Sequence, residues 1–151
     1  MYFVDRNQID KALTYMERSI AHLEKLNTNN PTFTDQLALE RIAMIVIESI
    51  IDVGNSMIDG FIMRDPGSYE DIIDILEDEK VIEKEQADEL KAVLEKRKEL
   101  VQKFQDIDHL SLRNVLNQHK EALRGFPIEV RRYLEQELVQ YQRLSHSTIN
   151  S

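Results

Sequence analysis

The sequence predicts an all-α protein, an up-and-down helical bundle of four to five main helices plus one short helix. Glycine and proline are scarce, at four and three of 151 residues, whereas the helix-favouring residues Leu, Ile, Glu and Lys are abundant. Apolar residues also recur at three- and four-residue steps, which is the period of an amphipathic helix. We expect a single domain over residues 1–144 and a disordered tail over 145–151.

The first helix is predicted from Asp5 to about Leu26. Its apolar residues fall on one face because they follow steps of three and four: Ile9, Leu13, Met16, Ile20 and Leu23. The polar run NTNNP ends this helix. A second helix is predicted from Thr32 or Thr34 to about Met63, with a capping box at its start.

The second helix is apolar nearly all round, which predicts that it is the central and most buried one. A thin polar line interrupts it at successive steps of 7, 4, 3 and 4: Arg41, Glu48, Asp52, Asn55 and Asp59. Those steps hold one angular position, so these side chains form a polar stripe. Because this helix is so apolar and the bundle is so small, we expect a second copy of the chain to bury part of it, which predicts a homodimer.

Turn and capping residues bound most of the remaining helices. After the turn RDPG, Ser68 and Asp71 form a capping pair for a short third helix. A fifth helix is predicted over Leu110–Leu123. Gly125 and Pro127 separate it from a last helix, and Pro127 suits the first turn of that helix. The apolar residues of the last helix are Val130, Leu134, Leu138 and Tyr141.

The fourth helix, predicted over Lys84–Phe104, carries the most informative residue. One of the six members of its core-facing seam is an arginine: Ala87, Leu90, Leu94, Arg97, Val101 and Phe104. A buried guanidinium without a partner is costly, so we expect Arg97 to pair with Glu48 or Asp52 of the polar stripe. Two interpretations stay open. The pair fixes the register of the helices, or it lines a polar cleft that binds a ligand.

Composition narrows the classes of function. The net charge of −9 argues against a DNA-binding protein, yet residues 91–151 carry 11 basic and 8 acidic side chains and leave room for RNA or a nucleotide. No apolar run approaches the ~20 residues of a membrane span, so we expect a cytoplasmic protein. The chain has no cysteine, and His22, His109 and His146 lack metal-ligand spacing. We therefore expect no metal and no cofactor.

Three segments resemble a known family. ALERIAMIVIESIIDVGNSMIDG, MRDPGSYEDIIDILEDEKVI and ADELKAVLEKRKELVQKF, in this order, resemble the HepT-like family of the HEPN superfamily, and within it an uncharacterised YutE-like branch. The resemblance extends from Asp5 to about Tyr141. HepT is the toxin of the HepT–MntA toxin–antitoxin pair. The resemblance implies a homodimer with a metal-independent ribonuclease site at its twofold axis, and a nucleotidyltransferase-type antitoxin as partner.

The family's signature is an Arg usually followed by Asn, then a His four to six residues later and a Tyr two residues beyond. Arg97 matches the arginine, Lys98 replaces the Asn, Gln102 stands at the His position and Phe104 at the Tyr position. A glutamine amide carries no proton at neutral pH, and general acid–base catalysis contributes roughly 10²–10⁴-fold. Phe104 has no hydroxyl to accept the AMP groups that the MntA partner adds. The resemblance thus implies a degenerate site that binds RNA, a nucleotide or a protein partner.

Two alternatives stay open. Arg113, Asn114 and His119 in RNVLNQH match the signature superficially, so an active ribonuclease toxin could use a shifted histidine, His119 or His109. His119 also continues an apolar row of its helix, which favours a packed, hydrogen-bonded histidine, and the motif alone is weak. The other alternative is a purely structural dimer in which Arg97 is merely paired.

Overall fold

The fold is described from a computed structural model for residues 4–150, without the side chains of 141 and 145–150. This part of the chain forms seven helices and no strand: α1 (Arg6–Leu23), α2 (Phe33–Gly60), α3 (Tyr69–Asp78), α4 (Lys84–Leu94), α5 (Lys96–Gln102), α6 (His109–Gln118) and α7 (Lys120–Asn150). The predicted all-α bundle is confirmed. No described helix is long and apolar enough to cross a membrane.

Two predictions concern the ends of the chain. The domain boundaries at 1–144 stay a prediction. The second prediction is a disordered tail over 145–151, whose side chains lie outside the described residues. The described backbone of α7 is helical to Asn150.

The central helix is α2, which packs against α1, α3, α5 and α6. Its start is a capping box, as predicted, because the Thr32 hydroxyl accepts from the Asp35 amide at 3.1 Å and Asp35 accepts from the Thr32 amide at 2.8 Å. Its inner faces are fully buried at Leu39, Ile47, Ile50 and Met57. The polar stripe is the solvent-facing line of α2, exposed at four members and half-buried at Glu48.

Helix α3 packs unusually close to α2. A Cβ atom on Gly54 would lie 2.4 Å from Cγ2 of Ile72, so only glycine permits this approach. The start of α3 is capped as predicted, since the Ser68 hydroxyl accepts from the Asp71 amide at 3.0 Å. The close packing and the cap together fix the position of Tyr69, the first residue of α3.

The predicted fourth helix is two helices, because it breaks at Glu95 between α4 and α5. The α4 part of the predicted seam is buried, at Ala87, Leu90 and Leu94. The seam prediction is wrong beyond the break. Leu100 takes the core position there, whereas Val101 and Phe104 are exposed. The register set by α4 therefore does not carry over into α5.

The predicted boundary between the last two helices is also wrong. The fifth predicted helix ends at Gln118 as α6, and α7 begins at Lys120 and runs through Gly125 and Pro127. Pro127 lies inside the helix rather than in its first turn and removes one backbone hydrogen bond. Packing offsets that loss, since the apolar face of α7 stays buried across the proline at Leu123, Phe126 and Val130.

Candidate functional site

Arg97 of α5 pairs with Glu48 in the middle of α2. Its Nε donates to Oε1 of Glu48 at 2.8 Å, and the two side chains are 29% and 39% exposed. The hydrogen bond to Glu48 raises the pKa of Arg97 above its ordinary value. Asp52, the other predicted partner, is exposed and makes no hydrogen bond or ion pair within the described residues. The predicted pairing is thus confirmed for Glu48 and not for Asp52.

Tyr69 completes the support of this guanidinium. The Cζ atom of Arg97 lies over the Tyr69 ring, 4.6 Å from its centroid, which is a cation–π contact. Three helices therefore hold one side chain: α5 carries Arg97, α2 supplies Glu48 and α3 supplies Tyr69. The sequence does not single out Tyr69, because only its place directly after a helix cap marks it locally.

Most hydrogen-bond donors of Arg97 are unused. A guanidinium has five N–H donors, and Glu48 takes only the one on Nε. The four on Nη1 and Nη2 make no hydrogen bond within the described part of the chain. A fixed guanidinium with a free terminal edge is suited to bind a phosphate or carboxylate with two parallel hydrogen bonds.

Contacts between α5 and α6 hold Arg97 in place. Nζ of Lys96 donates to the Ser111 hydroxyl at 2.8 Å. Oε1 of Glu99 accepts from the Asp108 amide, also at 2.8 Å. These bonds flank Arg97 in sequence, so the short helix α5 is anchored on both sides of it.

A second polar pair lies on α2. His109 is the first residue of α6, one position before the predicted start of that helix, and its Nε2 lies 2.7 Å from Oε2 of Glu40. Glu40 precedes Glu48 by eight positions, which is about 12 Å along a helix axis. The two pairs are therefore separate contacts along α2 rather than one cluster.

Exposed apolar side chains border both pairs. Leu37 is exposed three positions before Glu40, and Leu110 is exposed directly after His109. Val101, one turn after Arg97, is also exposed. Such side chains around a polar site are typical of a surface that a partner covers.

The model of the family "Ribonuclease HepT-like" matches residues 9–130. A protein of Bacillus subtilis (strain 168) named "Putative RNase YutE" is 49% identical over 138 residues, covering 91% of this chain and 95% of its own. The chain belongs to the HepT-like family. The resemblance in the sequence is confirmed.

Solved structures agree with this HepT-like assignment. The structure of Bacillus subtilis YutE, described as a cytosolic protein of unknown function, matches with a TM-score of 0.87 at 48% identity, covering 91% of this chain and 96% of that one. A tri-AMPylated Shewanella oneidensis HEPN toxin in complex with an MNT antitoxin matches with a TM-score of 0.72, covering 82% and 96%. Its identity is 20%, so this second match shows the fold alone.

The two residues that the resemblance places at the His and Tyr positions of the family signature lie at the surface. Gln102 ends α5 and is exposed, and Phe104 lies in the following loop and is 64% exposed. Neither side chain makes a hydrogen bond, ion pair or ring contact within the described residues. Neither of them is therefore bonded to Arg97 within the described residues, whereas Glu48 and Tyr69 are its hydrogen-bond and cation–π partners.

The residues of the alternative motif bind elsewhere in this HepT-like chain. Nδ1 of His119 lies 3.2 Å from Oε1 of Glu89 on α4, and its side chain is only 13% exposed. Arg113 donates to the carbonyl groups of Thr28 and Asn27, at 3.2 and 3.5 Å, in the loop between α1 and α2. His119 is thus a packed, hydrogen-bonded histidine. Among the described residues, no group of three or more His, Asp or Glu side chains could hold a metal.

Proposed function

We propose that this HepT-like protein is a homodimer that binds a phosphate group of RNA or of a nucleotide at Arg97, and that it cleaves RNA poorly or not at all. One observation carries the proposal. Glu48 holds Nε, Tyr69 lies against the guanidinium plane, and both terminal nitrogens stay unbonded within the described residues. The RNase name of the 49% identical relative supports RNA as the source of the phosphate.

Poor cleavage follows from the proton chemistry. RNA cleavage needs a group that takes a proton from the 2′-hydroxyl and one that returns a proton to the leaving oxygen. Gln102 cannot do either, since its amide does not titrate near neutral pH. We expect Gln102→His to raise the rate of cleavage of a labelled single-stranded RNA, by up to the roughly 10²–10⁴-fold that such catalysis contributes. If the folded Gln102→His variant cleaves RNA no faster than the wild type, the missing histidine at position 102 is not the only defect of the site.

The homodimer proposal rests on the exposed apolar border of the two polar pairs. We expect Leu110→Glu to convert a dimer into a monomer at micromolar concentration, measured by sedimentation velocity. Ile128→Glu on α7 is the matched control, because Ile128 is similarly exposed but lies on another helix. A wild-type monomer at this concentration would contradict the proposal.

The toxin–antitoxin neighbours also support a nucleotidyltransferase-type antitoxin as partner. AMP transfer to position 104 is closed to this chain because Phe104 has no hydroxyl. We therefore expect such an antitoxin to act by binding alone. Co-purification with the candidate antitoxin, followed by intact-mass measurement in the presence of ATP, tests this. An added mass of one or more AMP groups on any residue of the chain would contradict it.

Binding itself is tested by fluorescence anisotropy with a labelled single-stranded adenylate octamer. We expect Arg97→Ala to weaken binding by about ten- to a hundredfold and the wild-type affinity to depend only weakly on salt. Each phosphate contact contributes a slope of about −0.7 in log K against log salt, so a site with one or two contacts gives a slope between about −0.7 and −1.4. Equal affinity of the wild type and Arg97→Ala would refute the proposal.

An active ribonuclease is the second candidate, favoured by the His109–Glu40 pair. A carboxylate that orients an imidazole is a common arrangement for general acid–base catalysis. Labelled RNA incubated with EDTA between pH 5 and 9 tests this, with His109→Gln against His119→Gln. Metal-independent cleavage lost only in His109→Gln would establish the second candidate, whereas no cleavage at any pH would eliminate it.

A further inference from the structure

We propose that Tyr69 makes the Arg97 site selective for a nucleotide unit, a phosphate with an unpaired base one sugar away, over a bare phosphate or duplex RNA. This inference rests on the phosphate-binding role of Arg97 proposed above. It adds a second recognition element on a different helix.

Tyr69 stays partly exposed although its ring contacts Arg97. The guanidinium lies over one face, and 46% of Tyr69 is nevertheless exposed. Its hydroxyl makes no hydrogen bond within the described residues, and its one ring contact there is with Arg97. Tyr133 differs, since it is half-buried and packs edge-to-face on Phe61 at 5.3 Å. Tyr69 therefore lacks the packing or hydroxyl bonding typical of a structural tyrosine.

The backbone that carries the ring is rigid. Tyr69 follows the Ser68 cap directly, and the glycine-dependent contact between Gly54 and Ile72 seats α3 on α2. A ring on a fixed helix end loses little conformational entropy when a ligand stacks on it. The geometry thus resembles a preformed stacking platform beside a phosphate-binding edge.

The chemistry of the ligand follows from this juxtaposition. Aromatic side chains stack on bases of any sequence because every base has a π-face. Bases in a duplex are already stacked and paired, so only an unpaired base can reach the ring. A phosphate on the Nη edge of Arg97 brings a base one sugar away towards Tyr69. The same chemistry occurs in a free nucleotide and in single-stranded RNA.

The test compares an adenylate octamer with an abasic ribose-phosphate octamer of equal charge, by anisotropy competition on the full chain. We expect the wild type to bind the adenylate octamer about tenfold more tightly, in line with the stacking contribution of a base. Tyr69→Leu should reduce this ratio to about one, and Tyr69→Phe should keep it. Tyr15→Leu, which alters a 49% exposed tyrosine on α1, should also keep it. Thermal melts confirm that each variant is folded.

Additional probes separate the sources of the base and the possible failures. AMP that binds as tightly as the octamer assigns the site to free nucleotides, whereas a tighter octamer assigns it to RNA. The inference is overturned if the wild type binds the abasic octamer as tightly as the adenylate octamer. It is also overturned if the wild type binds inorganic phosphate as tightly as AMP. If Arg97→Ala still weakens that binding by about ten- to a hundredfold, the proposed function stands. Failure of the wild type to bind any probe overturns both.

Discussion

Two arginines of this bundle differ in how many of their donors are used. Arg131 on α7 donates from Nε to Asp10 at 3.1 Å, from Nη1 to Glu17 at 3.0 Å and from Nη2 to Thr14 at 3.3 Å, all on α1. Among the residues that the structure describes, Arg97 donates from Nε alone. Their side chains are similarly exposed, at 36% and 29%. The two arginines therefore differ in how many of their N–H donors are hydrogen-bonded, and not in how exposed they are. Arg131 uses its donors to join two helices, whereas Arg97 keeps donors that can bind a ligand.

The same contrast holds for the two sides of the molecule. The side where α1 meets α7 is joined by ion pairs along its length, with Arg6 bound to Glu135 at one end and both Lys120 and Arg124 bound to Glu24 at the other. The side formed by α2, α5 and α6 has fewer such pairs among the described residues. The unbonded terminal nitrogens of Arg97 and the exposed side chains of Leu37 and Leu110 lie on this side.

Replacing Arg97 should give the largest effect on binding. Charge-assisted hydrogen bonds contribute about 1.5–3 kcal/mol, so Arg97→Ala should weaken octamer binding by about ten- to a hundredfold. Its melting temperature should change little, because an exposed ion pair contributes about 0–1 kcal/mol. Anisotropy and thermal melts measure the two effects. A large loss of stability without loss of affinity would make Arg97 a structural arginine like Arg131.

Replacing Arg131 should give the opposite result. Arg131→Met keeps the apolar stem and removes three hydrogen bonds between α7 and α1, which should lower the free energy of unfolding by about 1–2 kcal/mol after allowing for solvent exposure. Octamer affinity should stay at the wild-type value. Urea unfolding and anisotropy test this. If Arg131→Met instead weakened octamer binding and left the free energy of unfolding unchanged, Arg131 would be a ligand-binding arginine and not a structural one.

A smaller effect should come from Glu48. In Glu48→Gln the amide oxygen can still accept from Nε of Arg97, while the negative charge that repels a phosphate is gone. At about 6 Å and intermediate dielectric, that repulsion is about 1 kcal/mol, so affinity should rise about fivefold. Glu40→Gln on the same helix is the matched control and should change affinity less. A loss of affinity in Glu48→Gln would mean that the ion pair itself is needed.

The smallest effect concerns Arg64, a third arginine, which donates from Nη1 and Nη2 to Asp71 at 2.8 Å each. These bonds lower the pKa of Asp71 from 3.8 to about 2. A carboxylate with a lowered pKa stabilises the fold above its unfolded pKa, and this contribution disappears as pH falls from about 4 to 2. Thermal melts of Asp71→Asn and the wild type should therefore differ at pH 5 and converge near pH 2. A constant difference would mean that the pair does not depend on charge. Asp52→Asn is the control, because Asp52 makes no hydrogen bond or ion pair with any residue that the structure describes.

Local rules predict much of this fold but not its breaks. Capping at Thr32, the buried α2 and the Arg97–Glu48 pair follow from periodicity and from the cost of burying a charge. The break at Glu95 and the continuity of α7 through Pro127 depend on which side chains the core accepts. Packing between distant segments decides that, and periodicity within one helix does not show it.

The site was predictable only in part for the same reason. The sequence supplies Arg97 and a choice between two carboxylates on the polar stripe. It does not supply Tyr69, whose contact with Arg97 depends on how α3 sits against α2. Nor does it place Val101 and Phe104 at the surface, since their predicted burial assumed one unbroken helix.

Nitrogen-15 NMR of the arginine side chains tests most directly whether the free edge of Arg97 binds phosphate. Titration with the adenylate octamer should shift the guanidinium resonances of Arg97 and slow the exchange of its Nη protons, while those of Arg131 stay unchanged. Binding of the octamer with no change at Arg97 would contradict this account.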